Sequence, residues 1–134
     1  VTGREARSRF ATARVARLAT VDASGQPHLV PIVFALDGET VYSVVDEKPK
    51  RAPRLRRLEN IAANARVCVL VDHYSEDWDE LWWVRADGTA RVIGAAAVEG
   101  RRAVGLLAER YPQQRASGPV VAVDVDRWSH WSTR

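Results

Sequence analysis

The chain has 134 residues, of which 46 % are hydrophobic and 28 % charged, the size and composition of one globular domain with its own core. Its single cysteine, Cys68, excludes an internal disulfide, and its net charge of +3 is too modest for a general polyanion binder. No stretch is apolar over the length of a membrane helix, and no secretory signal pattern opens the sequence, so the expectation is one cytoplasmic domain over residues 1–134, with no membrane partner.

In chain order, residues 4–13 read as a short helix anchored by Phe10, and residues 15–21 as a strand. Asp22-Ala23-Ser24-Gly25 is a turn cluster. Residues 28–36 read as a second strand, interrupted by Pro31, and Asp37-Gly38 signals a hairpin into a third strand over residues 40–46. A basic segment follows: Lys48, Lys50, Arg51, Arg54, Arg56 and Arg57, with no acidic residue among them. It opens a helix ending near Asn64, in which Leu55, Leu58, Ile61 and Ala62 recur at helical spacing. Residues 66–73 are apolar on both faces and predict a central buried strand, with Cys68 as a small buried hydrophobe rather than a catalytic thiol. After an acidic loop over residues 74–80, residues 81–86 and 89–93 are expected to form a hairpin joined by Asp87-Gly88. Residues 99–111 read as a helix stopped by Pro112, with Leu106 and Leu107 inward. Residues 120–125 are the last expected strand, followed by the aromatic tail Arg127-Trp128-Ser129-His130-Trp131.

Six or seven strands in tight hairpins, with a few short helices, predict a mainly β fold: an antiparallel sheet closed into a small barrel. The alternating strands and helices of a Rossmann fold are missing, as are Gly-x-Gly-x-x-Gly and Walker-type glycine loops.

The basic segment lies where a strand gives way to a helix N-terminus, a place suited to a phosphate. Lys and Arg donate charge-assisted hydrogen bonds, and the first-turn amides add theirs. The alternative is a solvated basic face. Aromatic residues are not interleaved with the cations, which argues against a nucleic-acid partner. His28, His73 and His130 show no metal-ligand spacing, and Asp77, Asp79 and Glu80 lack the pattern of a calcium loop. Pro31 donates no ladder hydrogen bond and so marks an edge or bulge where backbone groups of Ile32 and Val33 could meet a ligand; a plain edge strand is the alternative. Trp82 and Trp83 should face opposite sides of their strand.

Several short stretches together resemble the pyridoxamine 5'-phosphate oxidase-like split β-barrel proteins, and more narrowly their coenzyme F420-dependent branch in actinobacteria. They are Val15-Ala16-Arg17-Leu18-Ala19-Thr20-Val21 with Gly25-Gln26-Pro27-His28, Val30-Pro31-Ile32-Val33-Phe34, and Val41-Tyr42-Ser43 leading into the Lys/Arg run. Further along come Arg57-Leu58-Glu59-Asn60-Ile61 with Asn64-Ala65-Arg66-Val67, Trp82-Trp83-Val84-Arg85 with Gly88-Thr89-Ala90, and Arg127-Trp128 with Trp131.

The resemblance implies a homodimer with two cofactor sites at the subunit interface. It implies that Val30 to Phe34, with Pro31, Ile32 and Val33 foremost, line the cofactor ring and that Ser43, Val44 and Val45 run beside the ribityl chain. Lys48, Lys50, Arg51, Arg54 and Arg57 compete for the phosphate; Arg57 fits the family position by spacing, with Lys50 and Arg51 as alternatives. Trp83, Trp128 and Trp131 are candidates to cover a cofactor. The surplus cations suit the oligoglutamate tail of F420, with FMN as the alternative. The implied function is hydride transfer between reduced F420 and an unidentified small organic substrate; the rivals are an FMN-dependent oxidoreductase and a non-catalytic flavin- or deazaflavin-binding protein. Tyr42, His73 and Tyr74 are possible proton donors, and the sequence selects none of them.

Overall fold

Burial alternates along the strands with a period of two, which turns one face of a single sheet into an enclosed core. The computed structural model describes residues 1–46, 55–114 and 116–133, so Lys48, Lys50, Arg51 and Arg54 lie outside the described residues. The elements are α1 (Gly3–Thr12), β1 (Ala16–Val21), β2 (Pro27–Ile32), β3 (Ala35–Asp37), β4 (Thr40–Asp46), α2 (Arg56–Ala63), β5 (Arg66–His73), β6 (Trp82–Ile93), α3 (Val98–Arg110) and β7 (Ala116–Ser132), with a 3-10 turn at Trp78–Glu80. The core takes Ala16 and Leu18 from β1, Val67, Val69 and Val71 from β5, Val84, Ala86 and Ala90 from β6, and Val121 and Val123 from β7. Phe10 of α1 is fully buried among them, its ring 5.1 Å from those of both Phe34 and Trp128.

The seven strands run antiparallel in the order β2-β1-β5-β6-β7-β4-β3. The two edge strands, β2 and β3, are consecutive in the chain and separated only by Val33 and Phe34. The sheet therefore curls back on itself but is not laddered shut, giving a split β-barrel. On the outside, α3 buries Ala103 and Leu107 against Tyr42, Val44, Val120 and Ala122, so β4 and β7 are covered on both faces.

Four readings change with the structure. Residues 28–36 form two strands, because Phe34 turns into the core and takes its hydrogen bonds outside any ladder. Its amide donates to the Tyr111 hydroxyl (3.4 Å), while its carbonyl accepts from that hydroxyl (3.1 Å) and from Arg110 Nη1 (2.7 Å). Asp87-Gly88 is not a turn: β6 runs straight through it, and the register against β7 slips between these two residues. A Cβ at Gly88 would run into the Asp124 carbonyl, so glycine serves a bulge and a close backbone approach. The expected last strand and aromatic tail are one strand, β7. Cys68 lies on the outer face of β5 and is only half-buried; partial desolvation is the main cause pushing its thiol pKa up. The hairpin at Asp37 stands, with Asp37 paired to Thr40 and Gly38 at φ +62 in the two-residue loop.

Charge fixes α3 to the barrel. Arg91 donates to both oxygens of Glu99 (3.0 and 2.9 Å) and both of Asp124 (2.6 and 3.0 Å), and the Tyr42 hydroxyl donates to Glu99 (2.7 Å). These partners, Arg91 foremost, hold the Glu99 carboxyl down from its ordinary 4.5 to about 2. A depressed folded-state pKa contributes stability that is present above about 4.5 and lost as pH falls toward 2. In urea unfolding, the midpoint gap between wild type and Glu99→Gln should therefore be widest near neutral pH, narrow as pH falls below about 4.5 and close only below about 2; a gap independent of pH would contradict this linkage.

Replacing Gly88 by Ala forces the β6–β7 ladder apart locally and should cost about 1–3 kcal/mol, the usual range for overpacking. Equilibrium urea unfolding reads this directly, and an unshifted midpoint would show that the bulge has room for a side chain.

Candidate functional site

At the seam between the two edges, the end of β2 and its exit meet the middle of β4, the start of α2 and the loop after α3. They enclose a cavity of about 250 Å³ lined by Val15, Pro31, Ile32, Val33, Ser43, Val44, Arg57 and Gln114. Local chemistry explains the arrangement. Pro31 sits on the edge strand β2, opposite Arg17 of β1, the kind of strand to which proline is confined within sheets. Val33 follows as the chain leaves the sheet for Phe34. On β4 the register against β7 slips between Val44 and Asp46, so the ladder loosens just beyond Val44. Arg57 lies in the first turn of α2, whose N-cap, Leu55, supplies no side-chain hydrogen bond.

Six expected residues, distant in sequence, thus come together: Pro31, Ile32, Val33, Ser43, Val44 and Arg57. Val45 is the next residue along β4 and does not line the cavity; nor do Val30 and Phe34, which pack toward the core. Val15 and Gln114 were not anticipated. The Gln114 amide donates from Nε2 to the Val44 carbonyl at 3.5 Å, and its Oε1 is buried with no hydrogen-bond partner among the described residues. Apolar walls, a serine hydroxyl, an amide oxygen without a donor among the described residues and one guanidinium match in kind the groups that a ring–polyol–phosphate ligand needs, in a space smaller than the whole ligand.

The tryptophans lie elsewhere in this chain. Trp83 and Trp131 face each other across the β6–β7 ladder and, with Leu70, Tyr74, Leu81 and Arg85, line a cavity of about 380 Å³ on the outer face. Trp82 points the other way, as alternation requires, and packs against the core, with the Arg9 guanidinium 5.1 Å above its ring. Trp128 packs on Phe10 beneath Arg7, and its indole N–H donates to Glu39 (3.1 Å). Of the possible proton donors, Tyr42 is engaged with Glu99 under α3, and its hydroxyl is pushed up to about 12, chiefly by burial. His73 stacks on Trp82 with ring centroids 6.0 Å apart, and Tyr74 is exposed.

An antiparallel sheet split at such a seam defines the class of FMN-binding-type split barrels. The family model of pyridoxamine 5'-phosphate oxidase matches residues 2–132, and the chain belongs to that family. It is 35 % identical over 86 residues to a 5a,11a-dehydrotetracycline/5a,11a-dehydrooxytetracycline reductase of Streptomyces rimosus. That match takes in 63 % of this chain and only 59 % of the reductase's length. Among solved structures, a conserved hypothetical protein of Mycobacterium tuberculosis superposes with a TM-score of 0.77 at 21 % identity, covering 100 % of this chain and 86 % of that one. A FAD-binding protein of Mesorhizobium loti gives 0.74 at 19 % identity, covering 97 % and 94 %.

The seam depends on Tyr111. Its hydroxyl meets the amide and carbonyl of Phe34 and the Arg14 carbonyl (3.0 Å). Tyr111→Phe should cost about 1–3 kcal/mol by leaving buried backbone groups under-satisfied. Native-state hydrogen exchange should show the Phe34 amide losing protection ahead of the β5 and β6 amides; equal loss everywhere would mean that Tyr111 supports the whole barrel rather than the seam.

Proposed function

We propose that the protein is an oxidoreductase that binds F420 in the seam cavity and serves hydride transfer between the reduced cofactor and a small organic substrate. The observation that carries this reading is the convergence of Pro31, Ile32, Val33, Ser43 and Val44 with Arg57 around one cavity. When bound, the deazaflavin supplies the hydride chemistry. The chain's own part is to bind, orient and keep water out. Val15, Ile32, Val33 and Val44 offer the apolar surface, Ser43 and Gln114 the polar contacts, and Arg57 the charge for a phosphate.

The second reading keeps the site and exchanges F420 for FMN; it is favoured by the likeness to a FAD-binding protein. F420 is preferred because the sequence carries more cations between β4 and α2 than one phosphate needs. The reductase relative supports a reduction over an oxidation.

A cavity of about 250 Å³ falls below the ~300–1,000 Å³ usual for such ligands, so a second copy of the chain completes each site in this reading. The face that carries Trp83 and Trp131, with Trp131 46 % and Tyr74 64 % exposed, offers the apolar surface for that homodimer. The unit that dimerises is a single domain over residues 1–134, acting in the cytoplasm.

The test is a parallel titration of cofactor-free protein with F420 and FMN, read by fluorescence and calorimetry. F420 should bind more tightly. Arg57→Ala should weaken binding about 10- to 100-fold, the equivalent of losing a charged hydrogen bond, without changing the thermal midpoint of the ligand-free protein by more than a few degrees. Preference for FMN would install the second reading, and binding of neither would sink both.

A further inference from the structure

Gln114 is the cavity residue whose side-chain acceptor has no partner among the described residues. Its amide has a defined orientation. The Val44 carbonyl can only accept, so the NH₂ group must face it, and the oxygen is directed elsewhere. That oxygen is buried and unpartnered among the described residues. The other polar side chains lining the cavity, Ser43 and Arg57, are both capable donors, yet neither is bonded to it. The remaining lining residues are Val15, Pro31, Ile32, Val33 and Val44, and they bring no side-chain donor. A buried acceptor without a donor is unfavourable, and the residue that bears this one lines the cavity.

We infer that Gln114 binds the polyol linker of the cofactor, its Oε1 accepting a hydrogen bond from a ribityl hydroxyl. The inference rests on the cofactor reading above and deepens it. Two features select the polyol over the other parts of the ligand. A phosphate at neutral pH offers essentially acceptors, so it cannot satisfy Oε1, and Arg57 is the cavity group that matches it. The cavity is too small for ring, linker and phosphate together, so the part beside the phosphate is what shares the space with Arg57, and that part is the chain of hydroxyls. Each hydroxyl both donates and accepts. A polyol running between Ser43 and Gln114 can therefore meet the serine in either sense while giving a proton to the glutamine oxygen. FMN and F420 both carry this linker, so Gln114 holds either cofactor and does not choose between them.

The experiment compares wild type with Gln114→Leu, which keeps the side-chain volume and removes both polar ends, and with Gln114→Glu, which keeps an acceptor. Binding is measured for the cofactor that wild type prefers and for the same ring bearing a methyl group in place of the polyol, lumiflavin in the case of FMN. Thermal unfolding of each ligand-free protein is the second readout. The expected result for Gln114→Leu is a five- to tenfold loss of affinity for the intact cofactor and none for the ring alone, with an unchanged or higher midpoint in the ligand-free protein. Gln114→Glu should retain more of the intact cofactor's affinity than Gln114→Leu. Unchanged affinity for the intact cofactor would overturn the inference, and so would an equal loss for the ring alone, which would move the contact to the ring's imide edge. A lowered ligand-free midpoint with unchanged affinity would mean that the oxygen is satisfied within the protein, again overturning it. Failure of wild type to bind either cofactor would instead remove the reading on which the inference stands.

Discussion

An antiparallel sheet that stops short of closing leaves two edges of unpaired backbone groups, and in this protein the chain itself crosses from one edge to the other. The crossing is made at Phe34, where no ladder partner is available. Tyr111 and Arg110, at the end of α3, take over the Phe34 amide and carbonyl, while Arg110 also reaches the Ala13 carbonyl (2.7 Å) and Tyr111 the Arg14 carbonyl. One helix terminus thus supplies hydrogen bonds to both the β2–β3 crossing and the entry to β1. The Phe34 side chain can then enter the core against Phe10, and a cavity is left between the end of β2 and the middle of β4. The helix that performs this task is itself held by the Arg91–Glu99–Tyr42 contacts at its other end.

Much of the fold was legible because most strands obey a simple alternation and their turns use standard chemistry. Asp22 shows why. Its Oδ1 accepts from the Ser24 and Gln26 amides and the Ser24 hydroxyl, with Gly25 at φ +92, so four residues state their own conformation. Asp87-Gly88 carries a similar signal with a different cause. The glycine there is required by a neighbouring backbone, a tertiary demand that composition cannot separate from a turn. The continuous 17-residue strand β7 was hidden for a related reason. Its second half reads as an aromatic tail, and only pairing of Trp128 and Trp131 with Ala86 and Trp83 of β6 makes it sheet.

The site divides along the same line. Pro31 in an apolar strand and a cation run before a helix are local anomalies, and local anomalies are visible in sequence. Gln114 sits in a loop among ordinary polar residues. Nothing nearby in sequence marks it, because its significance comes from Val44, seventy residues earlier, and from the closing of α3 against β4. Val15 likewise reads as the first residue of a strand, and it becomes a wall only when β2 folds back beside β1. The tryptophans invert the lesson: they are conspicuous in sequence, yet within one chain they are spread between the core and the outer face rather than gathered at the cavity.

Charge completes the picture. A pI near 9.5 suggests a basic surface, but six of the described arginines stand in ion pairs. Arg7 pairs with Glu39, Arg17 with Asp72, Arg66 with Asp126, Arg85 with Asp87, Arg91 with Glu99 and Asp124, and Arg102 with Asp37. Each exposed pair adds only ~0–1 kcal/mol to stability. Their larger effect is to flatten the long-range field over the barrel, since a matched pair seen from beyond ~10 Å is nearly neutral at physiological salt. The sequence between β4 and α2 carries Lys48, Lys50, Arg51 and Arg54 against a single carboxylate, Glu47. The excess of cations is thus concentrated in one short stretch of sequence next to Arg57 rather than spread along the chain, a distribution that favours a local anion over a broad polyanion surface.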